Sequence, residues 1–255
     1  MIDIKTPREI EIMAEGGKIL AEVLFEVLKH AEVGVSELEL DQLAEKLILE
    51  KGGEPAFKKV SGYRHTLCIS TNEVVVHGIP TDYRFKEGDV VGVDCGVFYK
   101  GFNTDMAETV RIKDKGLRMN QDGVDGFLGT GKRVLEEAIK VAKVGNRIGH
   151  ISKTIQDIVE GEGFSVVRSL IGHGVGKKLH EDPEVPGFLD QPISQTPLLK
   201  VGMTIAIEVI YNMGKSDVVY VRDDGWTIKT KDNSLSGLFE RTIAIVQSGP
   251  VVLTQ

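Results

Sequence analysis

GDVVGVD (88–94) and GMTIAIE (202–208) are one pattern written twice, 114 residues apart. In each, a glycine opens an alternating apolar run that closes on a carboxylate, Asp94 or Glu208. Alternation at period two marks a strand with one buried face. The likeness extends upstream at an offset of 111, where Val23, Leu24, Val33, Gly34, Leu40 and Gly52 fall on Val134, Leu135, Val144, Gly145, Ile151 and Gly163. Two helices plus strands therefore occur twice, a long internal duplication rather than a short solenoid period. Such a chain is expected to fold about a pseudo-two-fold axis, with the acid-bearing ends of equivalent strands meeting near it.

The segments around these strands read as helices. Thr6, Pro7 and Glu9 form an N-cap, a first-turn proline and a capping box, and Ile10, Met13, Gly17, Leu20, Leu24, Val27 and Leu28 follow at helical spacing. Ser36 and Glu39 open a second helix with Leu40, Leu43, Leu47 and Ile48, stopped by Gly52 and Gly53. Strand character dominates residues 66–112. Helix-like segments return at about 129–144 and 147–162. No linker or low-complexity tract interrupts the chain, so residues 1–255 are expected to form a single domain.

Composition narrows the function. Hydrophobic residues at 41% and charged residues at 27% exclude wholesale disorder. A net charge of -7 leaves no basic excess for nucleic acid or an anionic membrane. No apolar run reaches the roughly 18–20 residues of a membrane span, and MIDIKTPREIEIM has no signal-peptide layout. Cys68 and Cys95 form no CxxC, which suits a reduced compartment. A cytoplasmic location is expected. GFLGTGK (126–132) imitates a P-loop, but Arg133 stands where the magnesium-binding hydroxyl belongs, and the polar NQDGVD (120–125) precedes it instead of a buried strand. A loop leading into a helix is the better reading.

Acids inside apolar strands are the informative oddity, because an unpaired buried carboxylate costs several kcal/mol. Asp94 ends VVGV, Asp105 ends GFNTD, Glu208 ends TIAI, and Glu240 precedes RTIAIV. With His173 of GHGVGK they make a set of four carboxylates and one imidazole. Such donors suit Mn, Fe, Co or Zn rather than a thiolate site, and shared carboxylates can hold two ions roughly 3.5–4 Å apart.

Taken with NEVVVHGIP (72–80), VDCGVFYKGFNTD (93–105), GHGVGKKLHEDPEVP (172–186) and DDGWTIKTKDNSLSGLFERT (223–242), the chain resembles the type I, short bacterial class of methionine aminopeptidases in the pita-bread superfamily. The resemblance covers essentially the whole chain. It implies an α+β fold, a curved antiparallel sheet with outer helices in two pseudo-symmetric halves. It implies removal of the initiator methionine from nascent polypeptides, preferably ahead of a small second residue, by a dimetal-activated water.

On matching positions the resemblance makes Asp94, Asp105, His173, Glu208 and Glu240 the ligands of two divalent ions (Co, Mn, Fe, Zn or Ni), with Asp105 and Glu240 bridging. Glu208 would also shuttle the proton from water to the leaving amine. His77 and His180 would donate hydrogen bonds to the attacked peptide. Tyr63, Cys68, His77, Leu179 and Trp226 would line the methionine pocket, and His180 would contact the carbonyl side of the substrate.

Three departures stand out. Leu179 replaces a usual large aromatic, Gly62-Tyr63-Arg64-His65 replaces a frequent Gly-Phe-Pro-Ala, and Arg241 replaces a usual histidine. The first is expected to widen the pocket, the second to alter the loop over the cleft, and the third to change hydrogen bonding around a bridging ligand. Proline-directed peptidases of the same fold generally carry a large extra N-terminal domain, whereas only about 65 residues precede the first motif here. A metal-free binding module is disfavoured because all five ligand positions are filled. Type II enzymes carry a helical insertion for which His180 and Glu208 stand too close. A monomer is expected. Ribosome association fits the task but draws no support from the acidic net charge.

Overall fold

Thr6 and Ser36 start their helices as read. In α1 (Pro7–His30), Thr6 Oγ1 accepts from Glu9 N while Glu9 Oε2 accepts from Thr6 N at 2.8 Å. In α2 (Glu37–Glu50), Ser36 and Glu39 repeat the arrangement. Each box satisfies amides that a helix start leaves free. The structure is a computed structural model and describes residues 2–113, 123–221 and 223–255. The strands before the midpoint are β1 (Glu54–Pro55), β2 (Leu67–Thr71), β3 (Val74–Val76), β4 (Val90–Tyr99) and β5 (Phe102–Arg111). After them come α3 (Gly123–Val141), α4 (Ile148–Gly161), β6 (Ser165–Val166), β7 (Ile171–Gly174) and β8 (Glu181–Pro186). β9 (Thr204–Asn212), β10 (Val218–Tyr220), β11 (Ile228–Thr230), β12 (Ser236–Val246) and β13 (Gly249–Val252) complete the chain.

The main sheet runs β1-β4-β5-β12-β9-β7-β8, with β2 beside β4, β6 beside β9 and β13 beside β12. The pairings among these strands are antiparallel. β3, β11 and β10 form a small second sheet. The duplication is visible in the bounds: α2 moved by 111 residues lands on α4, and the start of β4 moved by 114 lands on Thr204, the start of β9.

Period-two alternation divides each central strand between two faces. Val91, Val93, Cys95 and Val97 of β4 pack in one core with Leu20, Leu24, Leu40 and Ile48 of α1 and α2. Ile205, Ile207, Val209 and Tyr211 of β9 pack in another with Val134, Leu135, Ile151 and Ile155 of α3 and α4. The intervening residues, Asp94 and Glu208 among them, therefore face away from the helices.

The seam between the halves is β5 against β12. Only Glu240–Ala107 and Arg241–Met106 are in register there, against ten pairs in β4–β5 and nine in β9–β12. Two threonines stitch the rest. Thr242 Oγ1 accepts from Asp105 N at 2.9 Å and donates to Asp105 O at 2.8 Å. Thr109 Oγ1 accepts from Leu238 N at 2.9 Å and donates to Leu238 O at 2.7 Å. Each hydroxyl satisfies an amide and a carbonyl that a ladder partner would otherwise take.

Two sequence readings need correction. The acids do not end their strands: Asp94 and Glu208 are the fifth residues of β4 and β9, and Glu240 is the fifth of β12. The strands continue past them because the next residues resume the alternation. GFLGTGK lies inside α3 and is not a loop. Gly131 is a contact point, since a Cβ there would stand 2.3 Å from the Phe239 ring, and its N–H donates to Tyr211 Oη at 3.0 Å. The helix begins earlier than expected because Val124, Phe127 and Leu128 extend its apolar face despite the glycines. Residues 120–122 of the polar stretch ahead of it lie outside the described residues.

Candidate active site

Asp94, Asp105, Glu208 and Glu240 stand on β4, β5, β9 and β12, the four strands about the seam. Register brings them together: Asp94 lies opposite Ala107, Asp105 opposite Gly96, and Glu240 opposite both Glu208 and Ala107. His173 on β7 lies opposite Ala206, two residues from Glu208 on the same face of β9. The glycines around His173 permit this approach. A Cβ on Gly172 would stand 2.5 Å from Ala206 O, and one on Gly174 would stand 2.1 Å from Asp182 O.

The cluster is deeply buried, Asp105 being 4% exposed and Glu240 2%. His173 Nε2 lies 3.9 Å from Asp105 Oδ2 and 3.6 Å from Glu208 Oε1. Ligand atoms of Asp105, His173 and Glu240 fall within 4.8 Å of one another. His173 Nδ1 is 2.9 Å from Gly174 O. A carbonyl only accepts, so Nδ1 carries the proton and Nε2 turns a lone pair toward the acids.

Burial raises the carboxyls. Asp105 is pushed up to about 7, and Asp94, Glu208 and Glu240 well above the usual carboxylate range, with the charge of Asp105 adding to burial in all three. Burial and the neighbouring His180 lower His173 to about 4, so its imidazole is neutral. Asp94 Oδ1 and Glu240 Oε1 are buried with no hydrogen-bond partner. Orphaned oxygens of this kind, beside carboxylates that repel one another and an imidazole lone pair, fit divalent cations. Arg241 directs its guanidinium elsewhere, to Glu108 Oε2 at 2.8 Å, Glu240 O at 2.7 Å and Ala107 O at 3.1 Å. The expected effect of Arg241 is thus seated in the main chain beside Glu240, because alternation along β12 turns the two side chains to opposite faces.

One cavity of about 150 Å³ joins this cluster to an apolar end. All five acid and imidazole positions line it, with His77, His180, Tyr63, Cys68, Leu179 and Trp226. Every site residue singled out in the sequence is therefore brought to one place. The apolar end packs as a cluster: Tyr63 meets Trp226 edge-on at 5.1 Å and Phe57 at 6.4 Å, and Leu179 closes against them. Tyr63 donates its hydroxyl to Leu67 O at 2.7 Å, which fixes the loop that departs from the expected Gly-Phe-Pro-Ala.

Phe57, Val60 and Val76 also line the cavity and were not singled out in the sequence. Phe57 sits in a three-residue 3-10 turn, too short to show periodicity. The available signal was Gly96, where a Cβ would stand 2.8 Å from the Phe57 ring and 2.9 Å from Ala56 Cβ. That glycine lets the cavity floor lie against β4. His77 adopts φ 56, an uncommon left-handed conformation for a residue with a Cβ. Burial lowers the pKa of His77, the nearby His180 adding to it, and partial desolvation lowers His180, whose ring stands 4.4 Å from that of His173. An open cleft of about 800 Å³ adjoins the cavity and shares Val76, His77, His173, His180 and Glu208 with it.

The description of metallopeptidase family M24 matches residues 11–243. The methionine aminopeptidase of Clostridium perfringens is 42% identical, spanning 100% of this chain and 99% of its own length. The chain belongs to the methionine aminopeptidases of metallopeptidase family M24. The crystal structure of the methionine aminopeptidase of Thermotoga maritima superposes with a TM-score of 0.94 at 41% identity, covering 100% of both chains. A prolidase from Pyrococcus furiosus shares the fold, with a TM-score of 0.76 at 24% identity, and this chain spans 65% of it. The expected pita-bread fold and metal-dependent exopeptidase class are those of this M24 family. Among the described residues, no helix is long and apolar enough to cross a membrane.

Proposed function

We propose that this M24 peptidase removes methionine from the N-termini of nascent polypeptides in the cytoplasm, preferring a small second residue. In this reading residues 1–255 act as one catalytic unit and as a monomer. The observation that carries it is the single cavity whose wall passes from Phe57, Tyr63, Cys68, Leu179 and Trp226 to the carboxylates. The whole cavity, carboxylate end included, is about 150 Å³, so its apolar end has room for one unbranched side chain and not for further chain. The cut then falls after the first residue.

Asp94, Asp105, His173, Glu208 and Glu240 would hold two divalent ions. When bound, the ions supply Lewis acidity to the scissile carbonyl and to a water. Glu208 would act as the general base and acid, holding a proton from the attacking water and passing it to the leaving amine. His77 and His180 stay neutral because their pKa values are lowered; His77 offers an N–H near the attacked peptide and its developing tetrahedral centre, and His180 one on the carbonyl side. The Tyr63–Trp226 wall excludes water from the methionine side chain. The second residue of the substrate would lie where the cavity meets the outer cleft, beside His77 and His180, which favours small side chains there.

Reconstitution of the apo-protein with Co, Mn, Fe, Zn and Ni in turn tests this reading. The assay is methionine release from a Met-Gly-containing peptide, with a proline-starting peptide as control. Asp105→Ala and Glu240→Ala should lower bound metal and cut activity by several orders of magnitude. Near-normal turnover with two ions retained would remove these residues from the proposed site. Preferential hydrolysis of the proline-starting peptide would replace the methionine reading.

A further inference from the structure

The loop between β7 and β8 brings Leu179 and His180 to the cavity wall, and it is tied down from two sides. On one side Asn103, at the start of β5, donates its main-chain N–H and its Nδ2 to Gly176 O at 2.7 and 2.9 Å. Its Nδ2 also reaches Lys177 O at 3.1 Å. On the other side the tie is a charge pair. Lys5, in the segment ahead of α1, is 4% exposed, and its Nζ donates to Glu181 Oε2. Glu181 Oε1 accepts from Lys178 N at 2.9 Å.

One carboxylate thus joins a buried ammonium to the backbone on either side of His180. The fit is close, since a Cβ on Gly176 would stand 2.4 Å from Lys5 Cε. The lysine stem fills the space beneath the loop. Lys5 N donates to Gly202 O at 2.7 Å, which anchors the segment to the turn before β9. Asp3 Oδ2 stands 3.5 Å from Lys5 Nζ, and Asp3 lines the outer cleft.

Apolar isosteres usually replace a buried ion pair at no net loss of stability, so stability alone is a weak reason for this one. Removing only the lysine is different. Glu181 would then be an uncompensated buried charge, and it relieves that by turning toward water with the 178–181 backbone. We propose that Lys5 and Glu181 are positioning residues for His180, and that the segment before α1 is a strut of the active site. The proposal rests on the reading of His180 as a donor to the scissile carbonyl. It gives the first residues of the chain a part in the rate, exerted across the loop and without contact with substrate.

The test uses Lys5→Met, which keeps an apolar stem, and Glu181→Gln, which keeps an acceptor for Lys178 N. Both are measured as metal-loaded full-length enzyme on a Met-Gly-containing peptide. The expected result is a kcat lower by about 10- to 100-fold, since a displacement of about 1 Å in a catalytic group costs on the order of 10² in rate. KM and metal stoichiometry should be nearly unchanged. In a His180→Ala background, Lys5→Met should cause no further loss. An equal loss in both backgrounds means a general structural role and overturns the proposal, as does wild-type kcat in both single variants. A wild-type enzyme that releases no methionine overturns the functional reading beneath it instead.

Discussion

Asp105→Asn should stabilise the metal-free protein while abolishing its activity. Asp105 has a side chain 5% exposed, and burial moves its carboxyl from the ordinary 3.8 to about 7. Ionising it in the folded state therefore costs on the order of 4 kcal/mol. The sign follows from linkage. The folded protein holds this proton more tightly than the unfolded chain, so stability is lost as pH rises from about 4 through about 7 and stays low above that. Asparagine keeps the oxygen that accepts from Met106 N at 3.1 Å and carries no charge. In EDTA-treated protein at pH 8 the variant should exceed the wild type by about 4 kcal/mol in urea unfolding. That advantage should shrink toward zero by pH 4. Asp94, Glu208 and Glu240, which the charge of Asp105 raises, ease downward in the variant, and their relief adds to its advantage. Added metal should stabilise the wild type and leave the variant little changed. A variant less stable than the wild type at pH 8 without metal, or an advantage independent of pH, would refute the argument that buried carboxylate charge strains the site.

Other expectations concern the donors and the pocket. His77→Ala and His180→Ala should retain fold and metal but lose about 2.7–4 kcal/mol of transition-state stabilisation, or 10²–10³ in kcat; loss of metal with a normal rate per bound ion would contradict the donor role. Leu179→Phe should raise the methionine-to-leucine ratio of kcat/KM within the roughly 1–3 kcal/mol that one apolar group commands. It should leave metal affinity alone, and an unchanged ratio would show that Leu179 does not shape the pocket.

The duplication, the helix starts and the acids were legible because each depends on local grammar. A capping box is spelled within four residues, and a carboxylate in an apolar alternating run is visible wherever it occurs. Strand length was not legible, since Gly92 and Gly96 blur the alternation on either side of Asp94 and make the strand look shorter than it is. The floor of the pocket was hidden for a different reason: Phe57 matters through contact with β4, and Gly96 records that contact. Lys5 and Glu181 were the least visible. Among 31 basic and 38 acidic residues, no local feature marks two that meet across 176 positions. The placement of Leu179 against Tyr63 and Trp226 was implied by resemblance and could not have come from spacing alone.

The stitched seam has a consequence for how the molecule behaves as a whole. Each half supplies two of the four carboxylates, so neither half owns a complete set of donors. The set closes across β5 and β12, where two backbone pairs and two threonine hydroxyls span the seam, and the β3–β11 pairing and the Asn103–Gly176 bond join the halves elsewhere. If the proposed ligands hold the ions, ion occupancy and the docking of the halves would therefore be coupled. A substitution that weakens the seam, such as Thr242→Val, should then lower metal binding. Chelation, conversely, should loosen the seam while the β3–β11 pairing and the Asn103 bonds to Gly176 still hold the halves together.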